Sequence, residues 1–283
     1  MIEQKFETIL VSTEDGVTTV TFNRPEKKNA MSPKMHRDMD RALTLLARDK
    51  DCRILVLTGA GDSWCAGEDL EEYFHNLIDK PLERSEASAW GKWRGEKLRL
   101  FPKPTIASIN GWCIGGAFTT LASCDIALAA EEAKFVLSEI NFGHFPGGEV
   151  TKAISEILAP RDVLYLSMTG EIIDGKQAEK IRLVTKTVPL AQLKDETRRV
   201  AEVLKSKEPL ALRATKELYH LSQQLGREEA RTLSGLFGRD LNALQGSTKD
   251  MAKEGIRQFK ERKYKPALGS YDWKAEKGGK KGT

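Results

Sequence analysis

Two stretches of this chain place glycines and small residues directly after an apolar run. One is "TGAGDSWCAGEDLEEYF", which begins at Thr58; the other is "NGWCIGGAFTT", Asn110 to Thr120. In α/β proteins ligands collect outside the carboxyl ends of strands. Glycine there lets the backbone come close to a ligand, or simply make a turn. One backbone N–H from each stretch, converging on a carbonyl oxygen, would stabilise an enolate or a tetrahedral oxyanion. Losing one such donor typically costs about 3 kcal/mol. Tight packing of the two stretches is the other reading of the same glycines. Neither stretch carries the Gly-Lys-Ser/Thr of a phosphate-binding loop, and neither is GxGxxG, so a nucleotide or dinucleotide site is not supported.

The elements that must position these stretches are legible in outline. "FETILVSTEDGVTTVTFNRP" reads as two strands around an Asp15-Gly16 turn. Ser32 is an N-cap candidate with Pro33 at the first helical position, and Met35, Met39, Leu43 and Leu46 recur at helical spacing. "CRILVLTGAG" has the continuous apolar run of a strand buried on both faces. "PLERSEASAWGKWRGEKLRLF" reads as an amphipathic helix. "KPTIASINGWCIGGAF" reads as a second buried strand running into the glycine pair, and "GAFTTLASCD" as a buried helix. "IALAAEEAKFVLSE" gives two short strands around Glu131 and Glu132. Strands alternating with helices predict an α/β body with parallel pairing. From about residue 190 only helical patterns follow. The chain thus divides into an α/β core over 1–190, a helical region over 191–268 and a disordered basic tail over 269–283.

Composition narrows the function classes. The net charge of +4 sits largely in the C-terminal "KYKPALGSYDWKAEKGGKKGT", so the rest is close to neutral and does not argue for nucleic acid. There is no apolar run of membrane-spanning length and no secretory h-region, so a cytoplasmic protein is expected. Cys52, Cys65, Cys113 and Cys124 form no CxxC pair and no zinc pattern, so free thiols and no metal are expected.

The combination "NRPEKKNAMS", "VLTGAGDSWCAGEDL", "KPTIASINGWCIGGAF" and "CDIALAAEEAKFVLSEINFGHFPGG" resembles the crotonase (enoyl-CoA hydratase/isomerase) superfamily, over about residues 5 to 265. The resemblance implies a spiral of ββα repeats with C-terminal helices that support a homotrimer, or a hexamer made as a dimer of trimers. It implies an acyl-CoA thioester as ligand, with no cofactor beyond the coenzyme A of the substrate. It assigns the thioester oxygen to the backbone N–H groups of Glu68 and Gly116, with Gly115 giving the backbone room to approach. Lys27 falls at a position that touches the CoA phosphates, with Arg24 and Lys28 adjacent, and Ala66 at the backbone that meets the adenine.

Which reaction runs on this scaffold depends on side chains. Ordinary enoyl-CoA hydratases use two glutamates; here one of those positions is Glu139 and the other is Thr119. One carboxylate plus a hydroxyl resembles the hydroxycinnamoyl-CoA hydratase-lyases, which carry a serine at the Thr119 position. Tyr73 matches their phenol-binding tyrosine. The resemblance thus implies hydration of a feruloyl- or p-coumaroyl-type thioester, then retro-aldol cleavage to an aromatic aldehyde, such as vanillin, and acetyl-CoA. Three departures stand against it. Phe237 lies where a second phenol-binding tyrosine is expected. Glu68 replaces an apolar residue and adds a carboxylate near the thioester. His144, in "GHFPGG", is either a second proton carrier or loop surface. Trp64 and Trp93 read as packing residues, Trp90 as packing or acyl-pocket lining, and Asp125 as structural. Simple hydration or isomerisation of another acyl-CoA is the alternative. A crotonase-fold RNA-binding protein is the remote one, resting only on the basic tail.

Overall fold

The computed structural model describes residues 5–244 and 255–263. The chain opens with the hairpin β1 (Ile9–Glu14) and β2 (Val17–Phe22), paired antiparallel from Ile9 opposite Phe22 to Glu14 opposite Val17. Asp15 and Gly16 both take positive φ, 46° and 79°, the left-handed pair that a tight hairpin turn requires. Helix α1 (Pro33–Arg48) begins where the residues call for it. The Ser32 hydroxyl accepts from the Met35 N–H at 3.2 Å, and Met35, Met39, Leu43 and Leu46 are all buried.

The remaining strands fall into two sheets. β3 (Ile54–Gly59), β5 (Thr105–Ile109), β7 (Ile126–Ala130) and β10 (Lys186–Val188) extend the hairpin in parallel, in the order β1-β2-β3-β5-β7-β10. β4 (Ser63–Cys65), β6 (Trp112–Ile114), β8 (Lys134–Val136) and β9 (Ile173–Asp174) form the second, in the order β4-β6-β8-β9. The chain therefore gives one strand to each sheet on every pass: β3 then β4, β5 then β6, β7 then β8. Helices α2 (Pro81–Gly91) and α3 (Ala117–Ala122) connect successive passes. This is the ββα spiral that the sequence leads one to expect.

The corner between the two sheets corrects one expectation. "KPTIASINGWCIGGAF" is not a single strand; it breaks at Asn110–Gly111 into β5 and β6, which belong to different sheets. The Asn110 side chain turns the corner. Its Nδ2 donates to the carbonyls of Gly59 and Gly61 at 3.0 Å each, and its Oδ1 accepts from the Gly59 N–H at 3.2 Å. Gly111 packs so closely that a Cβ there would overlap the Asp62 carbonyl. β4 lies inside a stretch read as loop, because three residues are too few to show a period. Asp125 fixes the start of β5, its Oδ2 accepting from the Thr105 N–H at 2.7 Å and hydroxyl at 2.9 Å.

Beyond β8 come α4 (Val150–Ser155), α5 (Pro160–Thr169), β9, α6 (Gly175–Lys180) and β10. α7 (Leu190–Lys205) buries Leu193, Thr197 and Ala201, and the Thr197 hydroxyl bonds Ser108 of β5 at 2.9 Å. The first compact unit accordingly runs through Ala201. In the second, α8 (Pro209–Ser222) packs on α9 (Arg227–Leu244), and neither has a fully buried side chain. Residues 255–260 are helical. The tail expected over 269–283 lies outside the described residues, among which no helix is long and apolar enough to cross a membrane.

Gly111→Ala is expected to force the sheets apart at their corner. Overpacking of this kind costs about 1–3 kcal/mol, to be read as a lower urea midpoint with an unchanged slope.

Candidate active site

The two glycine-bearing stretches meet. Gly67 has φ 82°, and a Cβ on it would lie 2.7 Å from the Ile114 carbonyl and 3.2 Å from the Gly116 nitrogen. Only glycine satisfies both the conformation and the space. On the first stretch, the Gly67 carbonyl accepts from the Met31 N–H at 2.7 Å and the Asp69 N–H donates to the Met31 carbonyl at 3.0 Å. The Glu68 N–H between them has no backbone acceptor. On the second stretch, the Gly115 N–H donates to Val136 at 2.9 Å and the Phe118 N–H to Gly115 at 3.0 Å, and the Gly116 N–H at the start of α3 is likewise left over. Among the described residues, two unspent donors thus stand on touching loops. That is the arrangement an oxyanion needs.

Glu139 stands beside them. It lies in the 3₁₀ turn Ser138–Phe142, and its Oε1 would be 2.8 Å from a Cβ on Gly115, whose φ is 53°. Gly115 therefore makes room for this carboxylate as well as for the chain reversal. Oε2 of Glu139 is buried with no hydrogen-bond partner among the described residues. Burial pushes its carboxyl above the usual carboxylate range, against a smaller opposing bond from its own backbone N–H. A buried carboxyl left unsatisfied calls for an explanation, and work on a ligand's proton supplies one.

Glu68 is more than a backbone donor. Its Oε1 pairs with Arg94 Nη1 at 2.6 Å and its Oε2 with His36 Nε2 at 2.7 Å, all three side chains being largely buried. Trp93 Nε1, which can only donate, bonds His36 Nδ1 at 3.1 Å, so Nε2 carries the imidazole proton and gives it to Glu68. Arg94 also donates from Nε to the Gly91 carbonyl at 3.1 Å and from Nη1 to the Gly116 carbonyl at 3.4 Å. One guanidinium thus ties the first loop to the second. Burial alone would push the Glu68 carboxyl up, but Arg94 and then His36 outweigh it and hold the group below the usual range. The extra carboxylate is a structural anion, not a free acid or base at the thioester. Nothing in the sequence marks Arg94 and His36 as part of the site, and Trp93 reads there only as a packing residue. The one signal was Glu68 itself, since a carboxylate at an apolar position demands a partner.

Thr119 is buried on α3, and its hydroxyl donates to the Gly148 carbonyl at 2.9 Å. Tyr73 lies on the π-helical turn Leu70–His75, half-buried, with its ring edge-on to His36 at 6.0 Å. It borders a cavity of about 560 Å³ whose other walls include Arg84, Ser85, Ser88 and Lys92. Glu139 and Gly116 are not among those walls, and Tyr73 adjoins the first loop through its ring contact with His36, which bonds Glu68. The Ala66 N–H donates to the Lys28 carbonyl at 3.0 Å, next to Gly67. Lys27 is exposed and its ammonium pairs with Glu71 at 2.7 Å. Lys28 lies over the Trp112 ring at 5.6 Å. Arg24 is buried, donating to Ala30, Asp69 and Glu72, so it braces the first loop and does not reach for phosphate. His144 is exposed, and its backbone N–H donates to the Glu139 carbonyl at 3.1 Å. Trp64 and Trp93 are core residues, while Trp90 is 42% exposed.

The model for "Enoyl-CoA hydratase/isomerase" matches residues 12–269. The chain belongs to the enoyl-CoA hydratase/isomerase (crotonase) family. It is 40% identical over 272 residues to a hydroxycinnamoyl-CoA hydratase-lyase of Pseudomonas fluorescens, covering 95% of this chain and 98% of that one. It is 31% identical to an (E)-benzylidenesuccinyl-CoA hydratase of Thauera aromatica, covering 90% and 96%. Among solved structures it is similar to an enoyl-CoA hydratase of Bacillus anthracis, with a TM-score of 0.81, 26% identity and coverage of 90% and 97%. The family is one of acyl-CoA enzymes, and the unspent donors on the two loops fit a thioester oxygen.

Arg94→Met leaves the Glu68 carboxylate buried without its guanidinium partner. Removing one partner of such a pair costs about 3–5 kcal/mol, to be read by urea unfolding at neutral pH. Because the folded state holds the Glu68 carboxyl low, its pairing stabilises the protein above the unfolded pKa. That stabilisation is lost as pH falls through the folded value. Glu68→Gln is expected to flatten this acid-side loss.

Proposed function

We propose that the protein hydrates a hydroxycinnamoyl-CoA of the feruloyl or p-coumaroyl type and then cleaves the adduct to an aromatic aldehyde and acetyl-CoA. The observation that carries the reading is Glu139, a buried carboxyl with an unpartnered oxygen beside two unspent N–H donors. The likeness to the Pseudomonas hydratase-lyase supports the choice of acyl group.

The chemistry follows from the geometry. With the thioester oxygen on the Glu68 and Gly116 amides, electron density can move from the α,β-double bond onto that oxygen. Water gives up a proton as its oxygen bonds to the β-carbon, and Glu139 delivers a proton to the α-carbon, the net change being one water added. In the second stage the carboxylate takes the proton of the β-hydroxyl. The hydroxyl oxygen becomes the aldehyde carbonyl and the Cα–Cβ bond breaks. The electron pair passes into the acetyl-CoA enolate, held by the same two amides until it is protonated. A para-oxygen on the ring assists charge development at the benzylic carbon, and Tyr73 is the residue to bind it. Thr119 shapes the pocket through its bond to Gly148, Lys27 and Ala66 serve the CoA end, and His144 lies at the mouth of the Glu139 turn. No cofactor is needed beyond the coenzyme A of the substrate. The same reading carries a cytoplasmic homotrimer or dimer of trimers, with α8 and α9, which bury no side chain of their own, at the contact. Hydration without cleavage is the second reading, favoured by the likeness to the Thauera hydratase.

Incubation with feruloyl-CoA and p-coumaroyl-CoA is expected to release aldehyde and acetyl-CoA together; a β-hydroxyacyl-CoA without aldehyde would leave only the second reading. Glu139→Gln should lower kcat by about 10²–10⁴ while thioester binding, measured by calorimetry, is retained. Full activity in that variant would sink the mechanism.

A further inference from the structure

The connection from Glu139 to α4 ends in two successive left-handed residues, Gly148 with φ 60° and Glu149 with φ 68° and ψ 3°. Glycine adopts this conformation freely. A glutamate holds it only where its surroundings enforce it, and such residues gather at functional sites. The enforcing bonds are present. The Thr119 hydroxyl grips the Gly148 carbonyl, and the Glu149 carbonyl accepts from the Ala153 N–H at 2.8 Å.

The Glu149 side chain projects over Gly95. A Cβ on Gly95 would overlap the Glu149 carboxylate and lie 3.9 Å from Thr119 Cγ2, so the missing side chain at 95 is what makes the space. Among the described residues nothing donates to this carboxylate, and it is solvent-exposed. Arg94 is near, with Nη2 3.6 Å from a Cβ on Gly148, but its Nη1 is paired to Glu68. Thr119 stands three residues after Gly116, so the two are neighbours on one face of α3. Glu149 therefore reaches the face that starts at the Gly116 donor, and Glu139 stands at Gly115 just before it.

We propose that Glu149 is a second catalytic carboxylate of the acyl-CoA site, taking the proton of the attacking water while Glu139 supplies the proton to the α-carbon. In this division of labour the Glu149 carboxylate accepts one proton of water and the water oxygen bonds to the β-carbon. The π electrons pass toward the thioester oxygen on the Glu68 and Gly116 amides, and the α-carbon then takes the proton of the Glu139 carboxyl. The net change is one water added, and Glu139 is reprotonated as Glu149 gives up its proton before the next turnover. The contrast in environment suits the roles: burial raises the Glu139 carboxyl and so favours its acid form, while Glu149 faces solvent, where water reaches it. Thr119, at a position where ordinary hydratases carry an acid, acts as a positioning residue for Glu149.

The inference rests on hydration of an acyl-CoA and not on the cleavage that follows. The test is steady-state hydration of crotonyl-, cinnamoyl- and feruloyl-CoA by wild type, Glu149→Gln, Glu149→Asp and Glu149→Gly, with aldehyde release followed in parallel. Glu149→Gln and Glu149→Gly are expected to lower kcat by about 100-fold or more, with KM within about threefold, and Glu149→Asp to recover part of the loss. Glu149→Gly should melt no lower than wild type, because glycine relieves the backbone. Glu149→Gln retaining kcat within about threefold would overturn the assignment, as would a Glu149→Gly variant whose activity loss is matched by a lower melting temperature. Hydration that depends on Glu149 without aldehyde from wild type sinks the lyase reading alone. Aldehyde formation indifferent to Glu149 sinks this inference alone, and wild type that hydrates none of the three thioesters sinks both.

Discussion

The structure turns on a close approach between two loops. Gly67 lies against the Ile114 carbonyl and the Gly116 nitrogen with no room for a methyl group. Two polypeptide segments carrying unspent N–H groups do not stay that close without cause. The cause is charge. Glu68 on one loop binds Arg94, and Arg94 reaches the Gly116 carbonyl on the other. His36, its tautomer set by Trp93, takes the second oxygen of Glu68. A buried ion pair contributes little net stability but penalises every arrangement in which it is broken. Here that penalty acts on the spacing of two backbone donors, which is the quantity an oxyanion hole must hold constant.

Around this clamp the fold sets apart groups of different character. Glu139 is half-buried where Gly115 leaves room, with Oε2 shielded from solvent, and its carboxyl is raised by that burial. Glu68, also buried, is held low by Arg94 and His36 and so stays out of proton transfer. Two glutamates on adjoining loops thus differ in function because one has a cation beside it and the other does not. A third, Glu149, is exposed on a strained turn that Thr119 holds from α3. The two-sheet spiral makes this possible, since β4 and β6 run side by side and deliver the two loops to the same end.

Much of this was legible in the residues. The Asp15-Gly16 turn, the Ser32 cap and the apolar spacing of α1 are local signals, and each is where its residues place it. The two glycine stretches announced a ligand approach, and the motifs named the family. What stayed hidden is non-local. Asn110 bonds residues about fifty positions earlier, which no periodicity reveals, so the apolar run reads as one strand. Arg24 looked like part of a basic turn because its partners Asp69 and Glu72 lie far along the chain. Arg94 sits in a helix-like stretch whose pattern gives no hint that a cation points inward. Glu149 follows two glycines in what reads as plain loop, and only its backbone angle and its place over Gly95 set it apart.

The most direct measurement is the carbonyl stretch of a bound thioester. An acyl-CoA labelled with ¹³C at the thioester carbonyl would be followed by isotope-edited infrared spectroscopy, free and in complex with the wild-type protein. Two amides donating to that oxygen polarise the bond, so the band is predicted to move to lower wavenumber on binding and to return toward its free position in Gly67→Ala, where the loops are forced apart. A thioester that binds with its carbonyl band unmoved would mean that the Glu68 and Gly116 donors do not meet it, contradicting the central assignment.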